Sequence, residues 1–397
     1  MNRKIISLLP FLLLLFCGTI CSAMIVPYMA FFLVDGLGHE PWMISVYSAL
    51  AVCLTLTANR QFARLIDNGA RVFPLVGAAA IGYMLAALSL SLVPKLWTIL
   101  TLGVVGFGLS SSAVSTMFSL GGSLAERQEI ERSRFNAYMR ATTSTAWMIG
   151  PAVTFLIADQ VGAEAVFYAA LGLSFVWVGL WWLGLPRDVA APAKPKAGAA
   201  AFTTNASKGL WLAAAFVFCL SLAHSLTFSS LPLFYVREVG LPGFAPGVAF
   251  SIKTFVEVIA IFSTPTIIAR FGMRPALIAT TLLAVITIQL LASVQSFSQM
   301  LFGAALEGLY YGIYASLGIS YVQSFAEDRP AHATAIYWNT LMVTGLLAGP
   351  AVGFIAQAYD FQTVVQVASA IAFCAAVVLM ASRTSPTRAS PPRNPQY

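Results

Sequence analysis

Four ionisable side chains lie inside long apolar stretches of this 397-residue chain. They are Arg140, Lys253, Glu257 and Glu307, so two positive charges meet two negative ones. Inside a bilayer a charged side chain costs about 2.5–3.5 kcal/mol on insertion scales, and it therefore faces a partner or a water-filled cavity. Lys253 and Glu257 are four residues apart, a spacing that places both side chains on one face of a helix. The four residues predict a site that binds polar ligands or exchanges protons.

Proton exchange requires a carboxylate whose surroundings change. A carboxylate beside a cation stays ionised, and it takes up a proton when the cation moves away or water leaves. We predict a proton-coupling role for Glu257 first and Glu307 second, with Lys253 as their charge partner. The simpler interpretation is that these charges only join helices. His224 could relay a proton as well, although a lone histidine in a helix more often makes an ordinary hydrogen bond.

Polar and aromatic side chains could bind a solute that carries several hydroxyl groups. Ser144 and Trp147 follow Arg140 by four and seven residues, so they share its helical face. Such a solute needs hydrogen-bonding groups together with a flat apolar surface for its C–H faces. For any single aromatic residue the alternative is packing or a place at the membrane interface. The predicted substrate-binding residues are Arg140, Ser144, Trp147, Tyr311, Tyr337 and Asn339.

The elements that must position these residues are predicted to be transmembrane helices. The chain is 59% hydrophobic and only 9% charged, whereas a soluble domain has about 25% charged residues. Its apolar runs of about 20 residues are long enough to cross a bilayer as helices. The net charge of +7 then reflects topology, and we expect no nucleic-acid partner. The twelve predicted spans are 5–34, 42–64, 72–93, 96–119, 134–158, 164–185, 209–236, 245–269, 274–294, 297–324, 331–357 and 361–382.

The distribution of basic residues predicts the orientation of these spans. Eighteen of the 22 Lys and Arg residues fall in alternate connections; Lys95 and Arg237 lie on the other face, and Arg140 and Lys253 lie within spans. Cytoplasmic loops carry an excess of Lys and Arg, so both termini are predicted to be cytoplasmic. An Ala-, Pro- and Lys-rich segment has the composition of a linker. The predicted organisation is a six-helix bundle over 1–185, a cytoplasmic linker over 186–208, a second bundle over 209–383 and a cytoplasmic tail over 384–397.

An internal repeat supports the division into two halves. The segment YMRATTSTAWMIGPAVTF (138–155) aligns with YWNTLMVTGLLAGPAVGF (337–354). The glycines of GVVGFGLSSS (103–112) align in the same way with those of GAALEGLYYG (303–312), and the two pairs of segments are separated by nearly the same number of residues. Parallel repeats of this kind are typical of transporters whose halves rock about a central site. Asn339 occupies the position of Arg140 in this alignment.

The aligned segments share a Gly-Pro pair that could bend a helix during such rocking. Gly150 and Pro151 correspond to Gly349 and Pro350. Proline removes a backbone donor, and neighbouring helices in a membrane can satisfy the freed carbonyl groups. We predict a gating role for these four residues, while plain helix packing is the alternative.

Twelve spans, a basic linker and paired halves resemble the major facilitator superfamily. Its loop motif after the second span, broadly G-x-x-x-D-R-x-G-R-R, is partly present in RLIDNGAR as Asp67, Gly69 and Arg71. The resemblance implies that Asp67 and Arg71 hold cytoplasmic helix ends together. Within the superfamily the chain is similar to bacterial sugar efflux transporters. The segments that carry this similarity are MRATTSTAWMIGP (139–151), the region of Glu257, and AIYWNT…GLLAGP (335–350).

The chain also departs from that family pattern at positions expected to line a cavity. Met342 stands where the family pattern has an arginine after Asn339, and Glu307 stands where it tends to have asparagine. Lys253 is an addition. These changes preserve the transport prediction and weaken the assignment of sugar as the substrate.

The sequence therefore predicts an all-α integral membrane protein with twelve transmembrane helices in two pseudo-symmetric halves, the major facilitator fold. We expect a monomeric, multi-pass protein of the bacterial inner membrane that exports sugars or similar small polar solutes in exchange for protons. The alternative is a proton-coupled exporter of drugs or other amphipathic compounds. A channel or sensor would not need two halves with paired charges. No cofactor or metal is expected, and the scattered histidines and missing catalytic motifs exclude the common membrane-embedded enzymes.

Overall fold

The computed structural model describes residues 9–127, 132–187, 208–326 and 330–382. Within these ranges the chain forms twelve long helical spans, which we number α1 to α12. Three of them are composite: α1 (Leu9–Gly36) ends in a wider π-helical turn, as does α7 (Lys208–Glu238), and α4 consists of the segments Leu96–Thr98, Ile99–Gly103, Val104–Ser110 and Ser112–Arg127. The others are α2 (Trp42–Asp67), α3 (Val72–Leu92), α5 (Arg132–Gln160), α6 (Ala165–Gly184), α8 (Ala245–Phe271), α9 (Met273–Leu291), α10 (Phe297–Gln323), α11 (Pro330–Ala358) and α12 (Phe361–Ala381).

Eleven of these spans are long and apolar enough to cross a membrane. The exception is α10, which has 27 residues but contains Glu307, four glycines and four tyrosines. Its least apolar residues are largely buried against neighbouring helices. The prediction of twelve helical spans is therefore confirmed; most boundaries differ by a few residues, and α4 continues eight residues beyond its predicted end at 119. The predicted linker (186–208) and tail (384–397) lie almost entirely outside the described residues.

The helices pack as two groups of six. In the first group α1 packs on α5, and α3 packs on α6; in the second, α8 packs on α10, and α7 packs on α11 and α12. The two groups meet mainly through α5 against α8 and α2 against α11. Because α2 corresponds to α8 and α5 to α11 in the repeat, these two contacts are related by pseudo-symmetry. The packing confirms the predicted fold class.

Glycines permit equivalent close crossings in the two groups. A Cβ on Gly108 of α4 would contact Leu54 of α2, and one on Gly308 of α10 would meet the backbone of Lys253 in α8. These are corresponding helix pairs. Small residues allow membrane helices to approach this closely, and the approach gives van der Waals contact that lipid does not replace. The glycine repeat in the sequence thus reports real helix crossings.

The groups are joined at the end of the molecule away from residues 187 and 208, where the linker begins and ends. We call this the closed end, and the opposite side the linker end. Every hydrogen bond between the groups that lies wholly within the described residues is at the closed end. These bonds join Ser45 to Pro350, Ser251 to Met148, Arg237 to Asp35 and Val34, and Gln357 to Glu40 and Trp42.

Candidate functional site

An ion pair between Lys253 and Glu257 lies on α8. The Lys253 ammonium donates to the Glu257 carboxylate over 2.7 Å, one helical turn away. The side chains are only 9% and 19% exposed, respectively. A pair shielded to this degree holds its charges by mutual compensation, since an unpaired charge would be costly there. The spacing argument from the sequence is confirmed for this pair.

Glu307 is buried on α10 next to a residue of α7. Its Oε1 atom lies 3.6 Å from Nδ1 of His224, which is also buried. The same Nδ1 atom is 3.0 Å from the hydroxyl oxygen of Tyr310. His224 therefore lies beside a buried carboxyl group. From the sequence alone, an ordinary hydrogen bond was the preferred interpretation of this histidine.

Tyr311 connects the two parts of this cluster. Its ring stacks on the His224 ring at a centroid distance of 3.7 Å and an interplanar angle of 17°. The Lys253 ammonium lies 4.3 Å from the centroid of the same Tyr311 ring, within the range of a cation–π interaction. Tyr311 was predicted to bind substrate; the structure places it, half-buried, between the histidine and the lysine. We call Lys253, Glu257, Glu307, His224, Tyr310 and Tyr311 the ionisable cluster.

A close helix crossing holds the ionisable cluster together. Gly308 and Gly312 are four residues apart on α10 and lie directly against the α8 backbone at Lys253 and Glu257. This is the small-xxx-small pattern that lets membrane helices touch backbone to backbone. On the α7 side, Tyr314 bonds the Ser221 hydroxyl over 2.6 Å. The positions of the charged groups on α7, α8 and α10 are thus fixed by backbone contact and by buried hydrogen bonds.

Arg140 lies elsewhere, on the exposed side of α5. Arg140 lies on the same face of α5 as Pro151, and Pro151 contacts Gly247 of α8 at the closed end. Eleven residues, or about 16 Å along the helix, separate Arg140 from that contact, so it lies toward the linker end. Within the described residues its guanidinium makes no ion pair or hydrogen bond. Arg140 and Glu307, which carry opposite charges and lie in different halves, form no direct ion pair in this conformation.

The two residues that share the face of Arg140 are partly accessible. Ser144 and Trp147 are both half-buried on α5. In the part of the chain that the structure describes, neither side chain makes a hydrogen bond. The predicted grouping of these residues with Arg140 on one helical face is therefore present, and their hydrogen-bonding groups have no partner among the described residues.

Asn339 occupies the corresponding place on α11. It is exposed, and its amide has no partner among the described side chains and backbone groups. It lies on the stripe of Pro350, whose carbonyl oxygen accepts a bond from Ser45 of α2. Tyr337, two residues earlier, is buried instead and approaches Gly318 of α10. Asn339 and Arg140 thus face the space between the groups, whereas Tyr337 contributes to packing.

The four predicted gating residues lie at helix contacts. A Cβ on Gly150 would meet Ala23 of α1, within the first group. Gly349 and the Pro350 carbonyl instead contact α2, and Pro151 contacts α8, both across the groups. Three of the four therefore lie at the boundary that would have to open, and Gly150 serves packing inside one group.

The other two predicted gating residues make no such contact. Asp67 and Arg71 are both exposed near the linker end, and no ion pair joins them to each other or to another described residue. An ion pair that does join the groups is at the closed end, where Arg237 donates from Nε to Asp35 over 3.1 Å. The sequence missed this pair because its two residues are 202 positions apart. The signal available was the repeat, because Asp35 and Arg237 occupy corresponding positions.

The described residues contain no group of three or more His, Cys, Asp or Glu side chains that could hold a metal ion. All five cysteines are free thiols.

Comparison with known proteins agrees with this architecture. The family model described as Major Facilitator Superfamily matches residues 128–266 and 213–396. Sugar efflux transporter A of Dickeya chrysanthemi is 25% identical over 373 residues, which cover 93% of this chain and 94% of that protein. Sugar efflux transporter C of Escherichia coli (strain K12) is 24% identical and covers 88% and 89%. The crystal structure of the nucleoside transporter NupG has the same fold, with a TM-score of 0.79, 14% identity and coverage of 96% and 99%.

The chain belongs to the Major Facilitator Superfamily. It is a multi-pass membrane transporter and not an enzyme, as the sequence predicted. Its similarity to bacterial sugar efflux transporters, predicted from short segments, extends over about nine-tenths of the chain.

Proposed function

We propose that this transporter exports sugars or similar small polar solutes across the bacterial inner membrane, by proton antiport and alternating access. One observation carries the proposal. Arg140 and Asn339, at corresponding positions of the two halves, present unpartnered hydrogen-bonding groups between the groups of helices. Polar groups inside a membrane are costly unless a partner satisfies them. A solute with several hydroxyl groups is such a partner.

The remaining candidates complete a binding surface in this proposal. Ser144 adds a hydroxyl on the face of Arg140, and Trp147 adds an apolar surface for the C–H face of a sugar ring. We assign Tyr311 of α10 to the same surface; its side chain is half-buried and contacts Lys253. Its position links solute binding to the ionisable cluster, in which Glu257 and Glu307 are the proposed proton carriers and Lys253 their counter-charge.

The concentration of the described hydrogen bonds between the groups at the closed end supports alternating access. With the basic connections on the cytoplasmic side, both termini and the linker are cytoplasmic and the conformation is open inward. Solute would then enter from the cytoplasm, and opening of the closed end would release it to the periplasm. We propose that one chain carries out the cycle as a monomer, since the helices of both halves come from a single polypeptide.

A second candidate is the export of amphipathic compounds. An apolar groove of about 500 Å³ lies on the face of α8 that contains Ser251, nearer the linker end. It is lined by Val258, Ile259, Phe262, Ser263, Thr266 and Ile267. Met342, which is 47% exposed, follows Asn339 on α11 and shares a stripe with Gly349. These surfaces would bind an apolar part of a solute.

Transport into inside-out vesicles tests the proposed function. With an acidic interior, wild-type protein should accumulate labelled monosaccharides or disaccharides several-fold more than vesicles without a pH gradient. Glu257→Gln should remove this accumulation, because it leaves Lys253 unpaired and uncouples the cluster. A cationic dye, assayed in parallel, distinguishes the second candidate. Equal uptake with and without the gradient, by wild type and variant alike, would refute proton antiport through this cluster.

A further inference from the structure

The ionisable cluster carries one negative charge more than its fixed positive charge. Lys253 and Glu257 are joined at 2.7 Å and compensate each other. Glu307 is 4% exposed, and its nearest basic group is His224 rather than a second lysine or arginine. A buried carboxylate without a cation is strongly disfavoured, so neutrality within this part of the molecule requires one bound proton.

We infer that His224 and Glu307 together hold this single proton, and that Lys253 and Glu257 remain an ion pair. This inference rests on the proposed proton coupling and narrows it: Glu307 carries the proton, and Glu257 takes part only as the charge partner of Lys253. The proton has two sites, the carboxyl oxygen of Glu307 and Nδ1 of His224. When it moves from oxygen to nitrogen, the O–H bond breaks and an N–H bond forms. The neutral pair becomes an ion pair of unchanged total charge.

The contacts of His224 suit such an exchange. At 3.6 Å, Nδ1 and the Glu307 oxygen are close but beyond a hydrogen bond, while the Tyr310 hydroxyl lies at 3.0 Å from Nδ1. An unprotonated Nδ1 accepts from Tyr310. A protonated Nδ1 can donate to Glu307, so the two partners distinguish the two states. Tyr310 is thus a positioning residue for the histidine.

The same geometry connects the proton to the binding surface. A charged His224 ring would stack on Tyr311, near whose ring the Lys253 ammonium also lies. Two cations beside one ring repel each other, so protonation of His224 disfavours the present position of Lys253. The ionisable groups around the pair are Lys253 and Glu257 of α8, Tyr310 and Tyr311 of α10, and Tyr235 of α7, whose buried hydroxyl has no partner in the described structure.

Infrared difference spectroscopy tests the inference without any solute. The purified full-length protein is titrated with pH, and the C=O band of a buried protonated carboxyl group is followed. Wild type should show one such titrating group. Glu307→Gln should abolish its band. Glu257→Gln should move its midpoint to lower pH, because Lys253 loses its partner and then compensates the charge of Glu307. Because His224 offers the proton a second site, His224→Gln should move the midpoint to lower pH. For two sites of equal affinity the shift is about 0.3 unit, a twofold change in proton affinity.

Tyr314→Phe is the matched control. Tyr314 is as buried as Tyr310 on the same helix and also bonds α7, but through Ser221. It should leave the midpoint unchanged, whereas Tyr310→Phe should shift it. Persistence of the band in Glu307→Gln, or an unmoved midpoint in either Glu257→Gln or His224→Gln, would overturn the inference. Vesicle transport independent of a pH gradient would instead contradict the proposed function, so the two failures are distinguishable.

Discussion

Arg140 is a cation without a protein counter-charge in the described structure. Its guanidinium offers five N–H donors, and its helical stripe faces the other half of the molecule. The Lys253–Glu257 pair shows the contrast, since there a cation is satisfied within its own helix. Under the proposed function, the transported solute is the partner that satisfies this arginine.

Replacing Arg140 should therefore abolish transport without preventing insertion. Arg140→Leu removes all five donors, and we expect uptake into inside-out vesicles to fall at least tenfold. Arg140→Lys keeps the charge but loses the planar fork, so it should retain part of the activity. The amount of protein in the membrane fraction serves as the control. Normal uptake by Arg140→Leu would assign the residue a structural role.

At the residue scale, local spacing predicted contacts within a helix but not between helices. Lys253 and Glu257 were paired from their separation alone. His224, Glu307 and Tyr310 meet because α7 packs on α10, and no spacing in the sequence encodes that contact. The available signal was weak: His224 is a polar residue in an apolar run. Tyr337 shows the reverse case, in which an aromatic residue that matched a binding pattern is used for packing.

At the element scale, the crossing of α8 and α10 determines the geometry of the cluster. A side chain at Gly308 would press on the backbone carbonyl of Lys253, which cannot move unless α8 moves. Gly308→Leu should therefore lower stability by about 1–3 kcal/mol, seen as a lower midpoint of thermal unfolding in detergent. Gly345→Leu on α11 is the control, because no atom lies within 4 Å of its added Cβ. Equal midpoints for both variants would show that the crossing is not tightly packed.

The paired ends of α1 and α7 form a second device at this scale. Both end in a π-helical turn followed by a glycine with positive φ, Gly38 at 69° and Gly240 at 75°. This shared geometry places Asp35 opposite Arg237. Their side chains are 35% and 40% exposed, so the pair contributes only about 0–1 kcal/mol. The pair can therefore favour the closed conformation of this end without preventing its opening.

A charge exchange tests that bias. Asp35→Arg and Arg237→Asp alone each place like charges opposite each other, and each should reduce the population of the closed end, up to about fivefold. The double variant should restore it. The distance between spin labels on the connections α1–α2 and α7–α8 reports the population. Failure of the double variant to recover the wild-type distribution would contradict a direct role for this pair.

Elements were the most predictable part of the fold. Long apolar runs in a bilayer must form helices, because helices satisfy their own backbone hydrogen bonds. The positions of these runs therefore predicted the twelve spans. The repeat then gave the equivalence of α5 with α11. The sequence could not supply the particular conformation, since the state of the closed end depends on small differences in contact between halves.

At the scale of the whole molecule, the hydrogen bonds between the two halves in the described part of the chain lie at one end, and two of them are related by pseudo-symmetry. Ser251 donates to the Met148 carbonyl on one side, and Ser45 donates to the Pro350 carbonyl on the other. Each is a side-chain bond to a backbone carbonyl, supported by close approach at Gly247 or Gly353. Contacts of this size can be broken and remade, which is what alternating access requires.

Enlarging Gly353 should shift this equilibrium. A Cβ there would meet Ser45 of α2, so Gly353→Leu opposes closure of the closed end. If the halves rock as rigid bodies, the linker end must then close more often. Gly345→Leu, two turns earlier on α11, lacks this contact. The reporter is Ser144→Cys in a background without the five native cysteines, labelled in inside-out vesicles by a membrane-impermeant maleimide.

Gly353→Leu should lower the labelling rate at position 144 several-fold, whereas Gly345→Leu should leave it unchanged. The reason is that Ser144 shares the face of Arg140 and is reached only while the linker end is open. An unchanged rate in Gly353→Leu, with labelling still dependent on Ser144→Cys, would mean that the two ends open independently. Exchange by rocking of two rigid halves would then be excluded, and the single proton held by one half could not control access to the space between them.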